Sequence, residues 1–182
     1  MQQQLLQQSP PPAPRSPNQM PGANDFAALP ALSPTFVNIL RARGLSKPST
    51  LQMRALPAIL SGRDTVVEAA FGLGKTTAAT IAAINMIAPQ SDKCQVIMLS
   101  PTRDLALQIS KMCRALGKDF NIKIGSFVGG TPVRQDLEGL ETGIHLIVGT
   151  PGRTLDLIQK GGIDMSGLKM FLMDEADELL SK

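Results

Sequence analysis

The 182-residue chain has no tryptophan, no tyrosine, only six phenylalanines, two cysteines and one histidine. With so few aromatics it lacks the platforms on which many single-strand binders stack bases, so any contact with a nucleic acid falls mainly on the backbone. Cys94 and Cys113 lie far apart and have no second pair at metal-ligand spacing, which excludes a zinc site and a disulfide framework and leaves two inert thiols. No apolar run is long enough to cross a bilayer, and the N-terminus carries glutamines where a signal peptide has a basic patch and an apolar stretch. The expectation is a soluble intracellular protein, cytoplasmic or nuclear, with no membrane association. A net charge of +3 permits a polyanionic partner but is too small to argue for one.

What is present is a hydrophobic content of 43%, enough for the core of one domain. Residues Met1 to Asn24 are dominated by Gln and Pro, with Arg15 the only charged side chain, and read as a disordered tail. From Asp25 to Lys182 the pattern is that of a folded unit. Ser33 and Pro34 announce a helix carrying Phe36, Ile39 and Leu40 on one face, Gly44 ends it, and a second helix begins near Ser49 or Thr50 with Gln52 in its first turn.

After a turn at Gly62-Arg63-Asp64, Thr65 to Ala69 reads as a short buried strand and Lys75 to Ala88 as an apolar helix. Strands over Gln95–Ser100, Ile122–Phe127, Ile144–Val148 and Lys169–Met173 then alternate with helices over Arg103–Gly117, Val133–Leu140 and Arg153–Lys160. Such alternation predicts an α/β fold with a doubly wound parallel sheet, whose ligand site lies at the carboxyl ends of the strands.

Between the first predicted strand and its helix lies Ala69-Ala70-Phe71-Gly72-Leu73-Gly74-Lys75-Thr76. The glycines allow a tight loop with inward backbone N–H groups, Lys75 can reach terminal phosphates, and the Thr76 hydroxyl can sit on magnesium. A glycine-rich turn alone would leave the adjacent Gly-Lys-Thr unexplained. A phosphate cradle also needs a carboxylate for the metal and a group to orient water. Asp174 and Glu175, emerging from the apolar Met170–Met173 strand, supply that pair, whereas Asp177 and Glu178 are explained as acidic residues at a helix start.

Together with Pro101-Thr102-Arg103-Asp104-Leu105-Ala106, Gly129-Gly130 and Thr150-Pro151-Gly152-Arg153, the cradle and the acidic Asp174-Glu175-Ala176-Asp177 resemble the first RecA-like domain of a DEAD-box RNA helicase. Upstream, Phe26, Gly44, Lys47-Pro48-Ser49 and Gln52 resemble that family's Q motif, and the Gly129–Arg134 and Met170–Leu180 regions look closest to translation initiation factor 4A-like members. The resemblance implies ATP with Mg2+ as cofactor. Gln52 would read the adenine edge with Phe26 against the base, and Ala69, Gly72, Gly74, Lys75 and Thr76 would cradle the phosphates. Thr76 and Asp174 would position magnesium, and Glu175 would orient or activate water. Thr102, Arg103, Gly130, Thr150 and Arg153 would line an RNA track on the sugar-phosphate backbone, although Thr102 and Thr150 also suit helix caps. Implied partners are RNA, without sequence specificity, and protein regulators of the helicase cycle; the chain itself is expected to be monomeric.

Two departures stand out. The family usually has Gln-Ser at positions 70 and 71 and Thr at 73, so Phe71 is expected to point its ring toward the cleft, and Leu73 lacks a hydroxyl near the γ-phosphate. In family members a Ser-Ala-Thr strand also lies between the cradle and acidic strands, and a second RecA-like domain follows. With the chain ending at Lys182, the expectation is that this polypeptide alone does not unwind RNA. A non-catalytic RNA- or partner-binding module, or an inactive fragment, is the alternative.

Overall fold

A computed structural model of the protein describes residues 25–181. The tail expected over residues 1–24 lies outside the described residues, as does Lys182. Four strands, β1 (Val96–Leu99), β2 (Ile124–Phe127), β3 (Leu146–Gly149) and β4 (Met170–Met173), form one parallel sheet in the order β2-β3-β1-β4. Around it run α1 (Pro34–Ala42), α2 (Thr50–Leu60), α3 (Lys75–Met86), α4 (Arg103–Gly117), α5 (Val133–Leu140), α6 (Pro151–Gln159) and α7 (Ala176–Leu180).

Side-chain alternation along the strands sorts the core into two layers. Val96 and Met98 of β1 and Leu146 and Val148 of β3 face one cluster, which gathers α1 to α4 through Phe36, Leu40, Leu56, Ile81 and Ile109. Ile97 and Ile147 face the other, formed with Phe127, Leu157 and Ile163 beneath α5 and α6. Both faces of β1 and β3 are therefore covered, which explains their unbroken apolar runs. On the first layer Phe36 meets Phe120 edge to face at 5.3 Å.

Local chemistry fixes the helix ends as the residue types require. The Ser33 hydroxyl accepts from the Phe36 N–H at 3.1 Å, Pro34 occupies the first turn, and Gly44 turns the chain away with φ +80°. The two cysteines are buried, and desolvation pushes the Cys94 thiol up to about 11 and the Cys113 thiol to about 12. Both therefore stay protonated and unreactive at neutral pH. His145, 1% exposed beside β3, accepts the Lys123 N–H on Nδ1 at 3.1 Å. Burial first, then the Lys123 charge, lowers its pKa below the ordinary value.

Two expectations require correction. Thr65 to Ala69 is not a strand: no backbone-to-backbone hydrogen bond joins residues 64–73 to any other described segment, and Val66 is 97% exposed. A strand exists through its ladder, and this stretch has no partner. The same lack changes β4, which pairs with β1 alone among the described residues. Its four apolar residues alternate between half-buried and exposed, with Phe171 and Met173 on the exposed side. The predicted buried strand is an edge strand here.

Candidate functional site

Because the strands are parallel, the residues that follow each of them collect along one edge of the sheet. Thr102 and Arg103 follow β1, Gly129 and Gly130 follow β2, Thr150 and Arg153 follow β3, and Asp174 and Glu175 follow β4. The cradle joins them through one contact: the Thr76 hydroxyl donates to Asp174 Oδ2 at 2.8 Å, across 98 residues of sequence. Asp174 is itself fixed by its N–H, which donates to the Leu99 carbonyl at 2.9 Å. Glu175 sits in the left-handed region with φ +53° at the capping position of α7, without a side-chain bond to the helix. Partial burial first, and then the nearby Asp174, Glu178 and Asp177, raise its pKa above the usual carboxyl value. A carboxylate held in this way is a better proton acceptor than an ordinary one.

The Thr76 hydroxyl and the Asp174 carboxylate are a donor set suited to magnesium. That ion keeps most of its waters and takes one or two protein oxygens alongside substrate phosphates, rather than a cage. Among the described residues no group of three or more His, Cys, Asp or Glu could form such a cage.

The cradle is held from behind by the start of α2. Ser49 and Gln52 form a reciprocal capping box, in which Gln52 Oε1 accepts from the Ser49 N–H at 2.9 Å and Ser49 Oγ accepts from the Gln52 N–H at 3.2 Å. The same side chains then reach the loop: Ser49 Oγ donates to the Leu73 carbonyl at 2.9 Å and Gln52 Nε2 to the Gly74 carbonyl at 3.3 Å. A Cβ at Gly74 would fall 2.4 Å from Gln52 Nε2, and Gly74 has φ +85°, so only glycine fits there. Gln52 is 6% exposed and already spends part of its amide on the loop, leaving one donor and further acceptor capacity. Lys75 Nζ donates to the carbonyls of Ala69 at 2.5 Å and Ala70 at 3.1 Å and lies 5.2 Å from the centroid of the Phe71 ring.

Two predicted site residues, Phe26 and Arg153, differ from expectation. Phe26 is 1% exposed in the core, because the 3-10 turn capped by Asp25 folds its ring inward against the first apolar layer, so no ring face is presented to a base. Phe71 is 88% exposed, with nothing from the loop packed over it, and its ring lies on the cradle beside Lys75. Arg153 does not project toward solvent. Its side chain is only 10% exposed, and its Nη1 pairs with the Asp136 carboxylate and donates to Thr131 Oγ1 at 2.9 Å, while Nη2 donates to the Thr131 carbonyl at 2.7 Å. Desolvating a guanidinium requires such a partner.

Thr102, Arg103, Gly130 and Thr150 follow β1, β2 and β3 at the carboxyl edge of the sheet. Thr102 caps α4, accepting from the Leu105 N–H at 3.3 Å. Arg103 is exposed and lies against Gly130, where a Cβ would fall 2.4 Å from its Nη1 and where φ is +90°. Thr150 occupies the capping position of α6 without a side-chain bond to it. Sequence reasoning missed Asp136, Thr131 and the loop contact of Ser49. Ser49 had a signal in the Ser-x-x-Gln spacing, whereas Asp136 looked like any acid in a helix until burial distinguished it.

Comparison with known proteins agrees with this geometry. The family model for DEAD/DEAH box helicases matches residues 49–182. The chain is 46% identical to eukaryotic initiation factor 4A of Cryptosporidium parvum over 78% of this chain and 35% of that protein. It is 48% identical to the ATP-dependent RNA helicase DHH1 of Yarrowia lipolytica over 76% of this chain and 26% of that one. The structure of S. cerevisiae Dbp5 bound to RNA and ADP BeF3 superposes with a TM-score of 0.78 at 30% identity, covering 87% of this chain and 40% of that one. The chain thus spans about a quarter to two fifths of the length of these proteins.

Proposed function

This chain belongs to the DEAD/DEAH box helicase family, and from that premise we propose that it is the ATP- and RNA-binding portion of an RNA-dependent ATPase that opens RNA duplexes locally. The observation that carries the reading is the Thr76–Asp174 contact, which brings the cradle and the acidic pair into one site. In this reading the unspent donor and acceptor of Gln52 address the adenine edge, and the loop N–H groups from Ala69 to Gly74 and the Lys75 ammonium take the phosphates. Thr76 and Asp174 would hold Mg2+, which when bound supplies charge neutralisation at the terminal phosphates. Glu175 orients the attacking water and accepts its proton, a role that its raised pKa supports.

RNA would lie along Thr102, Arg103, Gly130 and Thr150, with the exposed Arg103 guanidinium on a phosphate and the α4 and α6 N-termini adding anion affinity. Arg153 contributes by holding the Thr131 loop, not by reaching the phosphates. Support for RNA and nucleotide as ligands comes from the likeness to Dbp5, solved with both.

A second reading is a binding module without turnover, favoured by the exposed Phe71 and Leu73, which put apolar side chains on the cradle. Phosphate release from ATP with and without RNA separates the two. RNA-stimulated release by this chain, lost in Glu175→Gln, is the expected result. Nucleotide-dependent RNA binding with no release in either protein establishes the second reading instead.

A further inference from the structure

We propose that Phe71 is a positioning residue for Lys75, holding its ammonium against the loop so that an incoming phosphate must compete for it. This rests on the nucleotide reading of the cradle. Phe71 is a large apolar side chain left 88% exposed, so core packing does not account for its position. What the ring does meet is a cation: Lys75 Nζ lies 5.2 Å from its centroid, within the range of a cation–π contact. The Ala69 and Ala70 carbonyls close on the same ammonium from the loop side. The three groups thus surround one charge that no carboxylate neutralises among the described residues.

A ligand whose terminal phosphates draw on Lys75 has to detach it from the ring and from both carbonyls. A ligand without phosphates leaves the arrangement undisturbed. Phe71 therefore sets a penalty specific to phosphate-bearing ligands, acting through the Lys75 ammonium. Neither polar nor aliphatic side chains at that position can impose the π part of it, because they present no negative ring face.

The test compares the wild type with Phe71→Leu, which keeps an apolar group but removes the π face, and Phe71→Tyr, which restores it. Affinities for ATP and for adenosine are measured, together with the rate at which an amine-acylating reagent modifies Lys75 in nucleotide-free protein, read by peptide mass spectrometry. In Phe71→Leu, ATP should bind about two- to fivefold tighter and acylation should accelerate by a similar factor, the size of an exposed cation–π contact. Adenosine affinity should not change, and Phe71→Tyr should match the wild type. The proposal is overturned if Phe71→Leu binds ATP equally or more weakly, if adenosine gains as much as ATP, or if Phe71→Tyr behaves like Phe71→Leu. If the wild type binds neither ligand, the nucleotide reading itself fails. The acylation rates then decide alone: acceleration in Phe71→Leu supports the positioning role, and an unchanged rate overturns it.

Discussion

Arg153 and Lys75 are both cations at the carboxyl edge of the same sheet, and they are held in opposite ways. Arg153 lies among α5, α6 and the loop after β2, where it is nearly buried and neutralised by Asp136. Lys75 lies at the other end, toward the β4 edge that has no partner among the described residues, where carbonyls and one exposed ring are its partners. The first arrangement closes on itself, since a desolvated ion pair with added hydrogen bonds has little left to offer a ligand. The second leaves a charge without a carboxylate partner among the described residues, and such a charge beside a glycine-rich loop attracts an anion. Position in a family motif did not separate these two residues; their neighbours did.

If the cradle side serves chemistry and the rim side serves the fold, substitutions should divide the same way. The largest effect is expected at Glu175. Glu175→Gln should slow RNA-stimulated ATP hydrolysis by about 10²- to 10⁴-fold, the size of a lost general base, with little change in the urea midpoint. A variant that hydrolyses normally would remove the proton-acceptor role. On the rim, Asp136→Ala strands the buried Arg153 charge and should cost about 3–5 kcal/mol of unfolding free energy. By contrast, Lys75→Ala should change stability by no more than about 0.5 kcal/mol. Equal costs for the two, measured by urea unfolding, would erase the contrast.

Gly74→Ala tests the clamp behind the cradle. Its Cβ meets the Gln52 amide and its φ of +85° strains any L side chain, so a loss of about 1–3 kcal/mol is expected, with weaker nucleotide binding in a fluorescence titration. The smallest effect concerns pH and the fully paired part of the sheet. His145 has its folded pKa depressed below the ordinary 6.5, so the unfolded chain binds the proton more readily. Its contribution is fully present above that pH and is lost as pH falls from 6.5 toward the folded pKa. Urea midpoints should decline as pH falls below 6.5 in the wild type and decline less in His145→Asn.

Much of this architecture was legible residue by residue. The α4 helix was read with its observed bounds because Leu105, Ile109, Cys113 and Leu116 recur at helical spacing and Thr102 is a cap. The α5 helix was equally legible. Thr65 to Ala69 misled because β-branched, apolar composition shows that a segment could pair, not that a partner strand is there. Phe26 and Arg153 misled for a related reason. A side chain's direction is decided by what surrounds it, and Asp136 and Thr131, the surroundings of Arg153, lie 17 and 22 residues away.

By itself the sequence determined the order of elements, the parallel α/β class, the cradle at a helix start and the acidic pair at a strand end, since each depends on spacing and on residues within one or two turns. Tertiary structure alone decided that Thr76 meets Asp174, that Gln52 and Ser49 clamp Leu73 and Gly74, that Arg153 turns inward and that Phe71 stands over Lys75 in solvent. The physical reason is the range of the forces involved. Backbone propensity and capping act over a few residues, whereas burial, charge pairing and strand pairing act between segments that only the folded chain brings together.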